Sequence, residues 1–163
     1  HYTLDGSEPG VTSPRYHAPI VLDATTRVRA VGLHNGKPVT TVVERTFTRT
    51  EPKPALDASA AQPGLRRETF AGDWERLPDF GSLAARESAV VGAIELPARE
   101  ERIGCRFSGL VVVERDELYE FALASDDGSR LWIDGELVVD NDGLHGAVEK
   151  RGHIALAAGA HAL

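Results

Sequence analysis

Short runs of alternating apolar and polar residues, broken by glycine and aspartate, dominate the chain. Thr25-Thr26-Arg27-Val28-Arg29-Ala30-Val31 puts Val28 and Ala30 on one face and both arginines on the other, the period of a half-buried strand. Tyr2-Thr3-Leu4 ends at the turn pair Asp5-Gly6. Val39 to Phe47 is rich in β-branched residues, with Val43 and Phe47 the expected inward positions. Between these runs Asn35-Gly36 signals a hairpin. Further on, Phe107, Gly109, Val111 and Val113 share one face, and Tyr119, Phe121 and Leu123 share another. Arg130–Ile133 and Glu136–Val139 flank Asp134-Gly135, a two-residue loop of the kind that closes a twisted hairpin. Ile154, Leu156 and the closing Ala158–Leu163 predict a last strand pair. The one helical expectation is a turn or two over Ser82 to Ala89, with Ser82 as N-cap. Short strands with Gly and Asp turns predict an all-β fold, sandwich or barrel.

Charge divides the chain. Residues 1–50 carry six basic and four acidic groups, whereas residues 51–163 carry twelve and twenty-one and so account for the net charge of −7. Between them EPKPALDASAAQPG holds Pro52, Pro54 and Pro63, which remove donors and favour extended backbone. It predicts a linker at 50–63 between a first module, 1–49, and a second, 64–163. The acidic balance argues against a nucleic-acid partner, which would require a basic face. Apolar runs are only a few residues long, as at Gly109–Val113, too short to span a bilayer. Cys105 is the single cysteine, with no Cys-x-x-Cys partner, and reads as a small buried hydrophobe. The chain starts at His1 and contains no methionine, so a processed or excised piece is expected.

The densest chemistry lies between Asp126 and Asp142. Six carboxylates (Asp126, Asp127, Asp134, Glu136, Asp140, Asp142) face a single base, Arg130. Crowded carboxylates repel, and calcium relieves the repulsion by taking several oxygens; a site on Asp126 and Asp127 is one reading. The other is that Asp126-Asp127-Gly128-Ser129 and Asp134-Gly135 are turns in which aspartate bonds its own backbone. An EF-hand is excluded, because the twelfth position from Asp140 is Arg151 and not glutamate. His145, His153 and His161 recur every eight residues, but the intervening glycines fix no common register for a zinc set. No phosphate loop or Gly-x-Ser-x-Gly elbow occurs, so the residues themselves indicate a non-enzyme. Trp74 and Phe80 bracket Glu75–Asp79. Trp132, facing opposite to Leu131 and Ile133, either stacks on a sugar ring or packs under a loop.

Two resemblances extend this reading. HYTLDGSEPG, SPRYHAPIVL and TTRVRAVG resemble the small immunoglobulin-like β-sandwich module appended to chitobiases and β-hexosaminidases, over residues 1 to 49 and without its first strand. GLRRETFAGDWERLPDF, FSGLVVV and LYEFALASDDGSRLWIDGELVVDNDGLHG resemble a PA14 domain, a β-barrel or sandwich, over residues 64–163 and without its last strands. That family occurs on secreted glycosidases, sulfatases, adhesins and toxins. In its sugar-binding branch, adjacent aspartates joined by a cis peptide hold calcium, which in turn holds sugar hydroxyls. The resemblance places Asp126 and Asp127 in that role, with Trp132 and Asn141 as outer ligand-binding candidates.

The combined expectation is a non-catalytic, carbohydrate-binding accessory region of a secreted, periplasmic or surface-bound bacterial carbohydrate-active enzyme. A β-hexosaminidase-like or other glycoside hydrolase, or a sulfatase, would be the parent. Its partners would be a glycan and the parent's catalytic domain, and calcium its cofactor. The alternative is a structural spacer with no ligand of its own.

Overall fold

The computed structural model describes residues 1–97 and 102–163. They form two compact units, His1–Thr50 and Glu51–Leu163.

In the first unit β1 (Tyr2–Thr3), β2 (Thr26–Ala30) and β5 (Val43–Phe47) make an antiparallel sheet in the order β1-β2-β5. Strands β3 (Leu33–His34) and β4 (Lys37–Pro38) form the hairpin expected at Asn35-Gly36. Both turn residues have positive φ, 49° and 74°, which matches the right-handed twist of the flanking strands. On the polar face of β2, Arg27 donates to Glu44 at 2.7 Å, and Arg29 pairs with Glu8 and Glu44. The opposite face carries Val28, Ala30, Val43 and Phe47. With Tyr16 and Ile20 it lines an apolar groove of about 530 Å³. Val43 and Phe47 thus lie on the expected face but are more than half exposed. Three short strands supply too little area to cover that face, and Val31 is the buried hydrophobic residue of this unit.

The second unit contains β6 (Leu65–Ala71), β7 (Glu87–Val91), β8 (Ile103–Ser108), β9 (Leu110–Val113) and β10 (Glu117–Ser125). These are followed by β11 (Ser129–Ile133), β12 (Glu136–Asn141), β13 (Val148–Leu156) and β14 (Gly159–Ala162). Among the described residues these strands pair antiparallel, as β7-β6-β8, β10-β13, β11-β12 and β14-β9. Among the described residues the sheets do not close into a barrel. Val113, Ile133, Ile154 and Leu156 form the core, with Tyr119 and Phe121 of β10 packed against it. The intervening Leu118, Glu120 and Ala122 face outward, as strand alternation requires.

Two local expectations change. Instead of a helix over Ser82–Ala89 there is one 3-10 turn, Phe80–Ser82, whose cap is Asp79 accepting the Gly81 N–H at 2.9 Å. Glu87–Val91 is strand because β6 offers it a full antiparallel ladder, Leu65↔Val91 to Thr69↔Glu87, and Val90 and Val91 suit a pleated surface. In the stretch read as a linker, Lys53 and Leu56 belong to the second unit and bridge to its last two strands. Lys53, between two prolines, donates its N–H to the Ala155 carbonyl at 2.9 Å, and Leu56 donates to Ala160 at 2.8 Å. Cys105 is half-buried on β8.

β14 is fastened to the β11–β12 turn by Asp134. One of its carboxylate oxygens faces Nδ1 of His161 at 2.6 Å, and the other accepts the Ala162 N–H at 2.7 Å. His161 is 0% exposed, and its Nε2 faces the Ala157 carbonyl at 2.8 Å. Burial alone would lower the His161 pKa, but the Ala157 carbonyl and the Asp134 carboxylate outweigh it and hold the imidazole above its ordinary value. Burial likewise raises Asp134, and the His161 and Ala162 hydrogen bonds bring it below the usual carboxylate range.

Candidate functional site

The six clustered carboxylates separate into two groups. Asp134 is engaged by His161, and Glu136 pairs with Lys53 at 2.9 Å. Arg130 reaches two more, Asp140 through Nε at 3.1 Å and Asp142 through its terminal nitrogen at 3.0 Å. Arg130 and the Asp142 N–H hold the Asp140 carboxyl below the usual carboxylate range. Asp142 is a hub: only 4% of its side chain is exposed, and its other oxygen accepts the Leu77 N–H at 2.7 Å. These four carboxylates are therefore compensated by cations and N–H groups of the chain itself.

Asp126 and Asp127 form the second group, exposed at the tip between β10 and β11. Asp126 accepts the Asp127 N–H at 3.1 Å, and Asp127 accepts the His145 N–H at 3.2 Å. Ser125 and Ser129 close the turn through their hydroxyls, 2.6 Å apart. The peptide bond between the two aspartates is trans, in contrast to the cis link implied by the resemblance. His145 caps the neighbouring loop. Its ring nitrogens lie 2.9 Å from the Asn141 and Gly146 carbonyls, and these two acceptors raise its pKa above the ordinary value.

The other two candidates lie apart from the loop tip. Asn141 is fully buried, its amide donating to Ser125 Oγ at 3.0 Å and to the Val148 carbonyl at 3.1 Å, while its Oδ1 has no protein partner. It thereby supports the loop from beneath. Trp132 pairs with Leu137 beside the Asp134-Gly135 turn, at the opposite end of the hairpin from Ser129↔Asn141. The three evenly spaced histidines also diverge: His145 sits in the loop, His153 pairs on the surface with Glu120, and His161 is buried.

The structure brings Asp127 to a different neighbour. Asp127, Gly128, Asp142, Gly143 and Leu144 form one side of a polar cleft of about 330 Å³. Residues 72–78, with Arg102 and Gly104, form the other side. The Leu77–Asp142 hydrogen bond clamps the two sides across 65 residues of sequence. Sequence reasoning missed this wall; the available signal was Trp74, two residues after a glycine and within the Trp74–Phe80 bracket. Among the described residues no group of three or more His, Cys, Asp or Glu side chains is arranged to hold a metal ion.

An acidic, compact β-domain with an exposed aspartate loop beside a polar cleft follows an apolar-faced β-module. Family comparison gives both parts a class. Residues 93–162 match the PA14 domain, and residues 1–47 match a module described as Fn3 associated. The chain is similar to the β-hexosaminidase of Porphyromonas gingivalis, with 29% identity over 155 residues. That alignment covers 87% of this chain but only 19% of the relative, so the chain spans about a fifth of that protein's length. Among solved structures, an anti-sigma factor domain-containing protein shares the fold, with a TM-score of 0.51 at 22% identity over 85% of this chain and 46% of that one.

Proposed function

We propose that this chain is a non-catalytic, carbohydrate-binding accessory region of a secreted bacterial carbohydrate-active enzyme, a β-hexosaminidase-like or other glycoside hydrolase. The observation that carries the reading is the Asp126–Asp127 loop. Its carboxylates stay exposed while the other four of the cluster are internally compensated, and Asp127 opens onto a cleft. The PA14 match and the β-hexosaminidase relative support the same reading. Calcium is the cofactor we propose for the loop. Calcium takes about six to eight oxygens, and two aspartates supply a minority of them. Backbone carbonyls, water and sugar hydroxyls would complete the shell. The test is a glycan array probed with and without calcium, together with a thermal melt. Calcium at a hundredfold excess over its Kd should add about 2.7 kcal/mol of stability and raise Tm. An unchanged Tm removes the metal from the proposal.

One observation favours a second reading, a spacer that positions the parent's catalytic domain. Both carboxylates already accept a backbone N–H, Asp126 from Asp127 within the turn and Asp127 from His145 of the neighbouring loop, as structural aspartates do. Absence of glycan binding in both arms of the array would decide for the spacer.

A further inference from the structure

We infer that the cleft beside Asp127 receives an uncharged pyranose ring, with Trp74 as its stacking platform. The inference rests on the carbohydrate-binding reading and adds a residue and a ligand class to it. Three observations carry it.

First, the indole is held in place. A Cβ on Gly72 would lie 2.1 Å from the Trp74 ring and one on Gly104 3.1 Å from it, so the ring sits directly against two bare backbone positions. Phe80 meets it edge-on, with centroids 6.1 Å apart and planes at 83°. Trp74 is half-buried and lines the cleft, so an aromatic surface is presented at little further ordering cost.

Second, the wall that carries Trp74 is anchored. The Leu77 N–H is bonded to a carboxylate that is 4% exposed and itself engaged by Arg130. The cleft's two sides are therefore tied together by the chain's own hydrogen bonds. The volume, about 330 Å³, lies near the lower end of small-ligand sites, about 300–1,000 Å³.

Third, the charges select against anions. Arg102 lies 3.5 Å from Asp73, and Arg76 lies 3.9 Å from Asp142, so both cleft arginines have acidic neighbours. Glu75 and Asp127 add further carboxylates to the lining. A phosphate or a uronate would meet this acidic surplus. A neutral polyol can donate to the carboxylates, accept from the arginines and lay its C–H face on the indole.

The test uses the 163-residue chain and a panel of neutral hexose and N-acetylhexosamine di- and tetrasaccharides, with the sulfated and uronate forms as the charged arm. Binding is measured by titration calorimetry in calcium. The neutral sugars should bind, and the charged forms should bind more weakly. Trp74→Ala should weaken the bound neutral sugar by about tenfold or more, the loss of one aromatic contact. Gly72→Ala keeps every functional group but displaces the indole, and should weaken binding in the same way. If Trp74→Ala proves unfolded by its melt, Trp74→Phe and Gly72→Ala carry the test. Wild-type affinity in folded Trp74 and Gly72 variants, or tighter binding of the charged forms, overturns the inference and leaves the carbohydrate reading standing. No binding by the unaltered chain overturns both.

Discussion

Replacing Asp134 with alanine should cost about 3–5 kcal/mol of stability near pH 5.5, the usual penalty for stranding one partner of a buried ion pair. The magnitude follows from the geometry. His161 is 0% exposed, and both of its ring nitrogens face acceptors, Asp134 at 2.6 Å and the Ala157 carbonyl at 2.8 Å. Satisfying both requires a proton on each nitrogen, hence an imidazolium whose only nearby countercharge among the described residues is Asp134. Alanine removes that charge and also the acceptor of the Ala162 N–H. Asn at the same position keeps the acceptor and tolerates the positive φ of 48°, so Asp134→Asn isolates the charge and should cost about 1–3 kcal/mol.

The pH dependence has a definite sign. The folded pKa of His161 lies above its ordinary 6.5, so its contribution is fully present below that value and is lost as pH rises through the folded pKa. The folded pKa of Asp134 lies below its ordinary 3.8, so its contribution is present above 3.8 and is lost as pH falls through the folded value. The pair stabilises most between the two ordinary values. As pH rises through the folded His161 value the Asp134→Ala loss should therefore shrink toward about 1–2 kcal/mol, that of a neutral hydrogen bond and a strained turn. Urea unfolding followed by tryptophan emission measures this, because both tryptophans, Trp74 and Trp132, belong to the second unit. A loss that grows as pH rises above 6.5, or one below about 1 kcal/mol at pH 5.5, would refute the buried imidazolium.

Asp142→Ala should cost about 2–4 kcal/mol, since it strands the Leu77 N–H and removes a nearly buried partner of Arg130. Asp140→Ala, with its side chain 48% exposed, should cost less than about 1 kcal/mol; urea titration showing the reverse order would contradict the clamp. Gly152→Ala would set a Cβ 1.7 Å from the Val138 carbonyl oxygen, where backbone must move, and should cost about 2–4 kcal/mol. Gly135→Ala meets open space but has φ +74°, so thermal melts should show only the strain of about 1 kcal/mol.

Much of the fold was legible because its signals are local. Asn35-Gly36 and Asp134-Gly135 take the positive φ values that such pairs tolerate, and the strands beside them follow. Tyr119 and Phe121 face the core because alternation leaves no other choice. Where a partner is distant, local reasoning fails. Glu87–Val91 is strand because β6 lies beside it, and Lys53 is tied down because Ala155 presents a carbonyl to it. Val43 and Phe47 keep their predicted face but not their predicted burial, since burial depends on what covers a sheet.

The acidic cluster shows the same limit more sharply. Counting charges from Asp126 to Asp142 sets six carboxylates against one arginine and so invites a metal to relieve repulsion. The fold supplies relief from residues outside that window: Lys53 for Glu136, His161 for Asp134, and the Leu77 N–H alongside Arg130 for Asp142. Repulsion summed over the segment is therefore no argument for calcium. A calcium site rests on Asp126 and Asp127 alone, which the turn leaves facing solvent. The narrowing also moves the candidate site. With Asn141 buried beneath the loop and Trp132 at the far end of the hairpin, the surface that continues from Asp127 is the cleft wall carrying Trp74. That wall joins the site only through a hydrogen bond spanning 65 residues, beyond the reach of any local pattern.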